Sequence, residues 1–67
     1  MNYYVNKNAQ YNGDHEVHKQ DCTYLPSSDN RLLLGDFSNC RDAVVAAKKY
    51  YSKSNGCRHC SNECHTS

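Results

Sequence analysis

Short aromatic and β-branched runs bounded by polar residues mark the start of the chain. In Asn2-Tyr3-Tyr4-Val5-Asn6, aromatic and β-branched residues set Tyr3 and Val5 on one face and Tyr4 on the other, which predicts a strand. After irregular Lys7 to Gln10, Asn12-Gly13-Asp14 is a turn signal, since Asn and Gly tolerate the positive φ of tight hairpins. The second arm is then His15-Glu16-Val17-His18-Lys19, with His15, Val17 and Lys19 alternating against Glu16 and His18. Pro26-Ser27-Ser28-Asp29-Asn30 is a loop by composition, with Leu25 held extended by the proline after it. Arg31-Leu32-Leu33-Leu34-Gly35-Asp36-Phe37 is too short for a helix of normal length and predicts a third strand interrupted near Gly35.

The period then changes. Cys40, Val44, Ala47 and Tyr51 recur at spacings of four, three and four, Ala43 and Tyr50 widen the stripe, and no Gly or Pro intervenes. With Ser38 or Asn39 as N-cap, Asp42 in the first turn, and Lys48 and Lys49 towards the C-terminal end, this predicts a helix over about 39–52. Asn55-Gly56 is expected to supply a left-handed turn that ends it. The elements sum to a single α+β domain over 1–67: an N-terminal β-hairpin, a short third strand, one helix and a C-terminal Cys-x-x-Cys knuckle.

Length makes that fold need help. In 67 residues the large apolar side chains are Val5, Val17, Leu25, Leu32, Leu33, Leu34, Phe37, Val44 and Val45 beside six tyrosines. A core of this size rarely supplies more than ~3–5 kcal/mol, so a disulfide, a metal or a partner is expected to supplement it. The net charge of +1 argues against a partner captured by bulk electrostatics. No apolar run approaches the ~20 residues of a membrane span. The five cysteines are an odd count, and Met1-Asn2-Tyr3-Tyr4 lacks the pattern of a signal peptide. The expectation is a cytoplasmic protein whose clustered thiols hold metal.

Gly56 to His65 packs three of the five cysteines and two of the four histidines into one short stretch. Zinc takes four ligands in a tetrahedron from thiolate sulfur and neutral imidazole nitrogen. Cys57 and Cys60 form a Cys-x-x-Cys turn, in which the chain folds back to place both sulfurs on one ion, with backbone N–H groups free to support the thiolates. His18 and Cys22 form a second pair, and closing the long loop between the pairs is where a metal stabilises most. The expected set is His18, Cys22, Cys57 and Cys60, with Cys64 and then His65 as alternative fourth ligands. Three thiolates and one dication would bring the net charge to roughly 0.

The order His18-x-x-x-Cys22-x-Tyr24, Phe37-Ser38, Ala43, Tyr51, Gly56-Cys57-x-x-Cys60 resembles the zinc-binding N-terminal domain of the Ada DNA-repair methyl acceptor and the small Ada-like modules of bacterial proteins. The resemblance covers about 16–60. It implies a small sheet and a helix around one four-ligand zinc. In the repair domain the first ligand is a cysteine whose zinc-activated thiolate takes a methyl group from DNA phosphate. His18 stands there in this chain, so methyl transfer is not carried over.

Other readings compete. Cys57-Arg58-His59-Cys60 places cationic or proton-donating residues between two thiols as redox motifs do, but those motifs open a helix, and this pair follows one. A disulfide scaffold is a further alternative. Cys40 lies on the helix stripe and reads as a small buried hydrophobe. His15 reads as a solvated turn residue, and His59 as a surface residue with no nucleophile at a catalytic spacing. Lys48, Lys49, Lys53 and Arg58, with Tyr50 and Tyr51 interleaved, are the candidate nucleic-acid contacts, although the lysines also suit the helix dipole. The expectation is a non-enzymatic structural-zinc module with a protein partner or nucleic acid, no membrane and no small-molecule substrate.

Overall fold

The computed structural model describes residues 1–66. Strands β1 (Asn2–Asn6), β2 (His15–Lys19) and β3 (Arg31–Asp36) precede helix α1 (Cys40–Ala47), and β4 (Ser54–Gly56) follows it. Short 3-10 turns cover Ser28–Asn30 and Asn62–Cys64. The four strands form one sheet in the order β3-β1-β2-β4. β1 is antiparallel to both β2 and β3, whereas β4 runs parallel to β2.

The hairpin is built as its alternation requires: Val5 faces Val17 and Tyr4 faces His18 across the β1–β2 pair. Tyr3, Val5 and Val17 are buried against Cys40, Ala43 and Ala47 of α1, with Leu32, Leu34, Phe37, Val44 and Tyr51 packed around them. Tyr3 meets Phe37 edge to face at 6.3 Å between ring centres. The interruption expected near Gly35 is present. The β1–β3 register shifts between Tyr3 and Tyr4, and Gly35 takes a φ of 131°, which side-chain-bearing residues rarely adopt.

The N-terminus of α1 is capped by Asn39, whose side-chain oxygen accepts from the Asp42 amide at 2.9 Å. Its other end departs from the 39–52 expectation. The helix stops at Ala47, and the chain tightens through Lys49 N–H to Ala46 O and Tyr50 N–H to Ala47 O. Tyr51 stacks on His15 of β2 at 3.8 Å between rings, turning the chain towards the sheet and leaving Tyr50 outside the core with 62% of its surface exposed. His15 is thus a packed ring rather than a solvated turn residue.

Asn55-Gly56 is also not a left-handed turn, because the only positive-φ residues described are Gly13 and Gly35. Residues 54–56 instead form β4, where hydrogen bonding to β2 outweighs local turn preference. Gly56 is required there for lack of space. A Cβ would lie 2.7 Å from both the Cys64 Cβ and the Ser61 carbonyl oxygen.

Cys40 is buried, as a core residue should be, but it is also joined to Cys64 by a disulfide with a Cα separation of 6.2 Å. The bond ties the start of α1 to the Asn62–Cys64 turn. It corrects the reading of Cys40 as a free thiol and removes Cys64 from the candidate ligands.

Candidate metal centre

The parallel β2–β4 pairing builds the site. Val17 pairs with Gly56, and the Cys57 amide donates to the Val17 carbonyl at 2.9 Å, which lays Cys57 beside the end of β2. His18 is the last residue but one of β2, and alternation sends its side chain away from Val17 and the α1 core. A turn after β2, closed by Cys22 N–H to Lys19 O at 3.1 Å, returns Cys22 to the same place. A second turn, Ser61 N–H to Cys57 O at 2.8 Å, does so for Cys60.

The ligand atoms of His18, Cys22, Cys57 and Cys60 all lie within 4.8 Å of one another and form a group that can hold a metal ion. The Cys22 and Cys57 sulfurs are 4.0 Å apart. Two thiolates at ~2.3 Å from one tetrahedral ion stand about 3.8 Å apart, so little movement is needed to close on one.

Each sulfur has a backbone donor. Tyr24 N–H points at Cys22 Sγ (3.4 Å), His59 N–H at Cys57 Sγ (3.4 Å) and Lys19 N–H at Cys60 Sγ (3.3 Å), with the Ser61 hydroxyl 3.7 Å from Cys60 Sγ. Such donors stabilise thiolate over thiol. His18 is 1% exposed, yet neither ring nitrogen has a hydrogen-bond partner. A buried imidazole left this way costs about 1–3 kcal/mol per unsatisfied group, and a coordinated metal would recover one of the two.

Burial lowers the His18 pKa, with the Glu16 carboxylate 3.6 Å from Nε2 opposing that, so the ring is held in the neutral form that ligates. Burial likewise raises Cys57, and burial together with the neighbouring Cys60 pushes Cys22 up to about 12. Without an ion these two thiols keep their protons. A bound cation inverts that balance and deprotonates them.

The other sequence candidates go elsewhere. Cys64 is in the disulfide, and the His65 Nδ1 contacts the Gly56 carbonyl at 3.0 Å. His59 stacks on Tyr24 at 4.3 Å. Lys48, Lys49 and Arg58 are exposed, whereas the Lys53 amine donates to the Asn12 carbonyl at 3.1 Å. A pocket of about 310 Å³ is lined by Lys19, Asp21, Thr23, Tyr24 and His59 together with the partly buried Cys22 and Cys60.

Sequence reasoning missed the Cys40–Cys64 bond. Its one available signal was arithmetic: assigning three of five cysteines to a metal leaves two, enough for a disulfide. Glu16 beside His18 carried no signal, because any alternating strand places i and i+2 on one face. Among the described residues no helix is long and apolar enough to cross a membrane. Compared with protein-family models, curated proteins and solved structures, the chain matches none of them.

Proposed function

We propose that this chain is a small structural-zinc module without enzymatic activity, serving as a protein-interaction or structural domain. One observation carries the reading: a fully buried His18 with two unpartnered ring nitrogens stands among three free thiols that each receive a backbone N–H. Three sulfurs and one imidazole are the donor set of structural zinc, and soft thiolates disfavour magnesium and calcium. When bound, zinc would supply a four-way cross-link between the end of β2 and the C-terminal knuckle. In that role the four groups serve as ligands, with His18 standing where a methyl-accepting cysteine would be, and His59 is stacked on Tyr24.

The order and spacing of these ligands also favour an Ada-like module lacking the methyl-accepting cysteine. Nucleic-acid binding is the second reading, supported by the exposure of Lys48, Lys49 and Arg58 and by the strongly exposed Tyr50. Its signature is affinity that falls steeply with salt, and a flat response removes it. The proposed location is the cytoplasm, whose reducing poise keeps Cys22, Cys57 and Cys60 free for metal; the Cys40–Cys64 bond is the feature that favours a more oxidising setting.

Native mass spectrometry with and without chelator tests the metal reading. One zinc is expected on the wild type and on Cys64→Ala, and none on His18→Ala. Zinc lost from Cys64→Ala but kept by His18→Ala would refute the ligand set.

A further inference from the structure

The geometry points to Glu16 as the residue that orients His18 and assigns its nitrogens: Nδ1 to the metal, and Nε2–H to the Glu16 carboxylate. This rests on the zinc reading above and specifies it. His18 is buried with both nitrogens unpartnered, so each nitrogen lacks a group that it needs. A neutral imidazole has one acceptor nitrogen and one donor, and a metal can occupy only the acceptor. The donor then requires an oxygen.

Glu16 supplies that oxygen. It lies two residues before His18 on the same face of β2, and its Oε1 is 3.6 Å from Nε2, slightly beyond a hydrogen bond. The carboxylate nevertheless stands outside the group whose ligand atoms are all within 4.8 Å of one another. Glu16 therefore approaches the ring without joining the sulfurs, which leaves Nδ1 as the nitrogen for the ion. The Glu16 side chain is only 23% exposed, so little water competes for the contact. A carboxylate that accepts from a ligating imidazole fixes its tautomer and ring angle and strengthens it as a donor. Glu16 is thus a positioning residue, acting through His18 and not touching the ion.

Long-range proton–nitrogen correlation spectra of isotope-labelled, zinc-loaded wild type test the assignment without any mutation. The His18 ring proton is expected on Nε2, with the metal shift on Nδ1; the reverse pattern overturns the assignment. Competition with a zinc-binding dye provides the second arm. Glu16→Ala should weaken zinc about 10–100-fold, and Glu16→Gln, which keeps an acceptor oxygen, should recover part of that loss, both with the wild-type amide spectrum. Equal affinity for Glu16→Ala and wild type rules out the positioning role. If the wild type itself takes up no zinc, the metal reading fails and this assignment falls with it, whereas zinc bound through Nε2 defeats this assignment alone.

Discussion

Val17 and His18 are neighbours on one strand, equally buried at 0% and 1% exposure, and they face opposite problems. Val17 points into a cluster with Val5, Ala43 and Ala47, where removal from water is sufficient stabilisation. His18 points to the other side, where removal from water leaves two polar atoms without partners. The two faces of β2 therefore use different physics. The helix side is a finished, small hydrophobic core, closed at its edge by the Cys40–Cys64 disulfide. The knuckle side is a set of donors grouped where one metal ion could be held. Burial stabilises the first unconditionally, whereas it costs free energy on the second until a cation compensates.

The most severe way to break this contrast is to remove the disulfide together with the proposed zinc cross-link. Structural zinc contributes of order 10–16 kcal/mol, and a disulfide spanning 24 residues roughly 3–4 kcal/mol. Chelator with reductant should collapse the dispersed amide spectrum. Chelator alone should disperse less but leave the α1 side folded, because the disulfide still ties Cys40 to Cys64. A full native spectrum after both treatments would show that the apolar core suffices.

A milder probe is pH, applied to the metal-free, disulfide-intact protein. His18 has a lowered pKa in the fold, so its neutral form contributes stability that is present above the ordinary value of 6.5 and is lost as pH falls from there through the folded value. Cys22 is raised from 9.0 to about 12, so its protonated form contributes stability that is present below 9.0 and lost as pH rises through that window. Urea midpoints should therefore be flat between those limits and decline on both sides. Metal affinity should instead fall steadily with acid, since zinc needs the thiolates and neutral His18. Urea midpoints that stayed flat or rose as pH dropped below 6.5 would contradict the burial account of His18.

The smallest effect belongs to the helix side alone. Asn39→Ala removes the cap on the Asp42 amide and should cost about 1 kcal/mol by urea unfolding. Zinc stoichiometry should not change. A lost zinc would mean that the two sides of β2 are coupled more tightly than their separate chemistry requires.

Much of the fold was legible because it is written in local periods. The β1–β2 hairpin, the bend at Gly35 and the cap at Asn39 follow from alternation, glycine chemistry and side-chain acceptors over a few residues. The candidate ligands were legible for a related reason, since His-x-x-x-Cys and Cys-x-x-Cys each fold back on themselves. The misreadings all involve contacts between distant segments. Asn55-Gly56 has the composition of a turn but pairs with β2, and the Cys40 stripe position concealed a partner 24 residues away. Tyr51 fitted a helix whose end was set instead by stacking on His15.

The sequence by itself thus determined the alternation of β1 and β2, the cap at Asn39, the bend at Gly35 and the two residue pairs that can hold a metal ion, because those properties depend on neighbours along the chain. Only the tertiary structure decided that β4 docks parallel to β2, bringing Cys57 to His18, that Cys64 is consumed by Cys40, and that Glu16 meets Nε2. Pairing between segments dozens of residues apart is fixed by the sum of burial and hydrogen bonding over the whole domain, and no local window contains that sum.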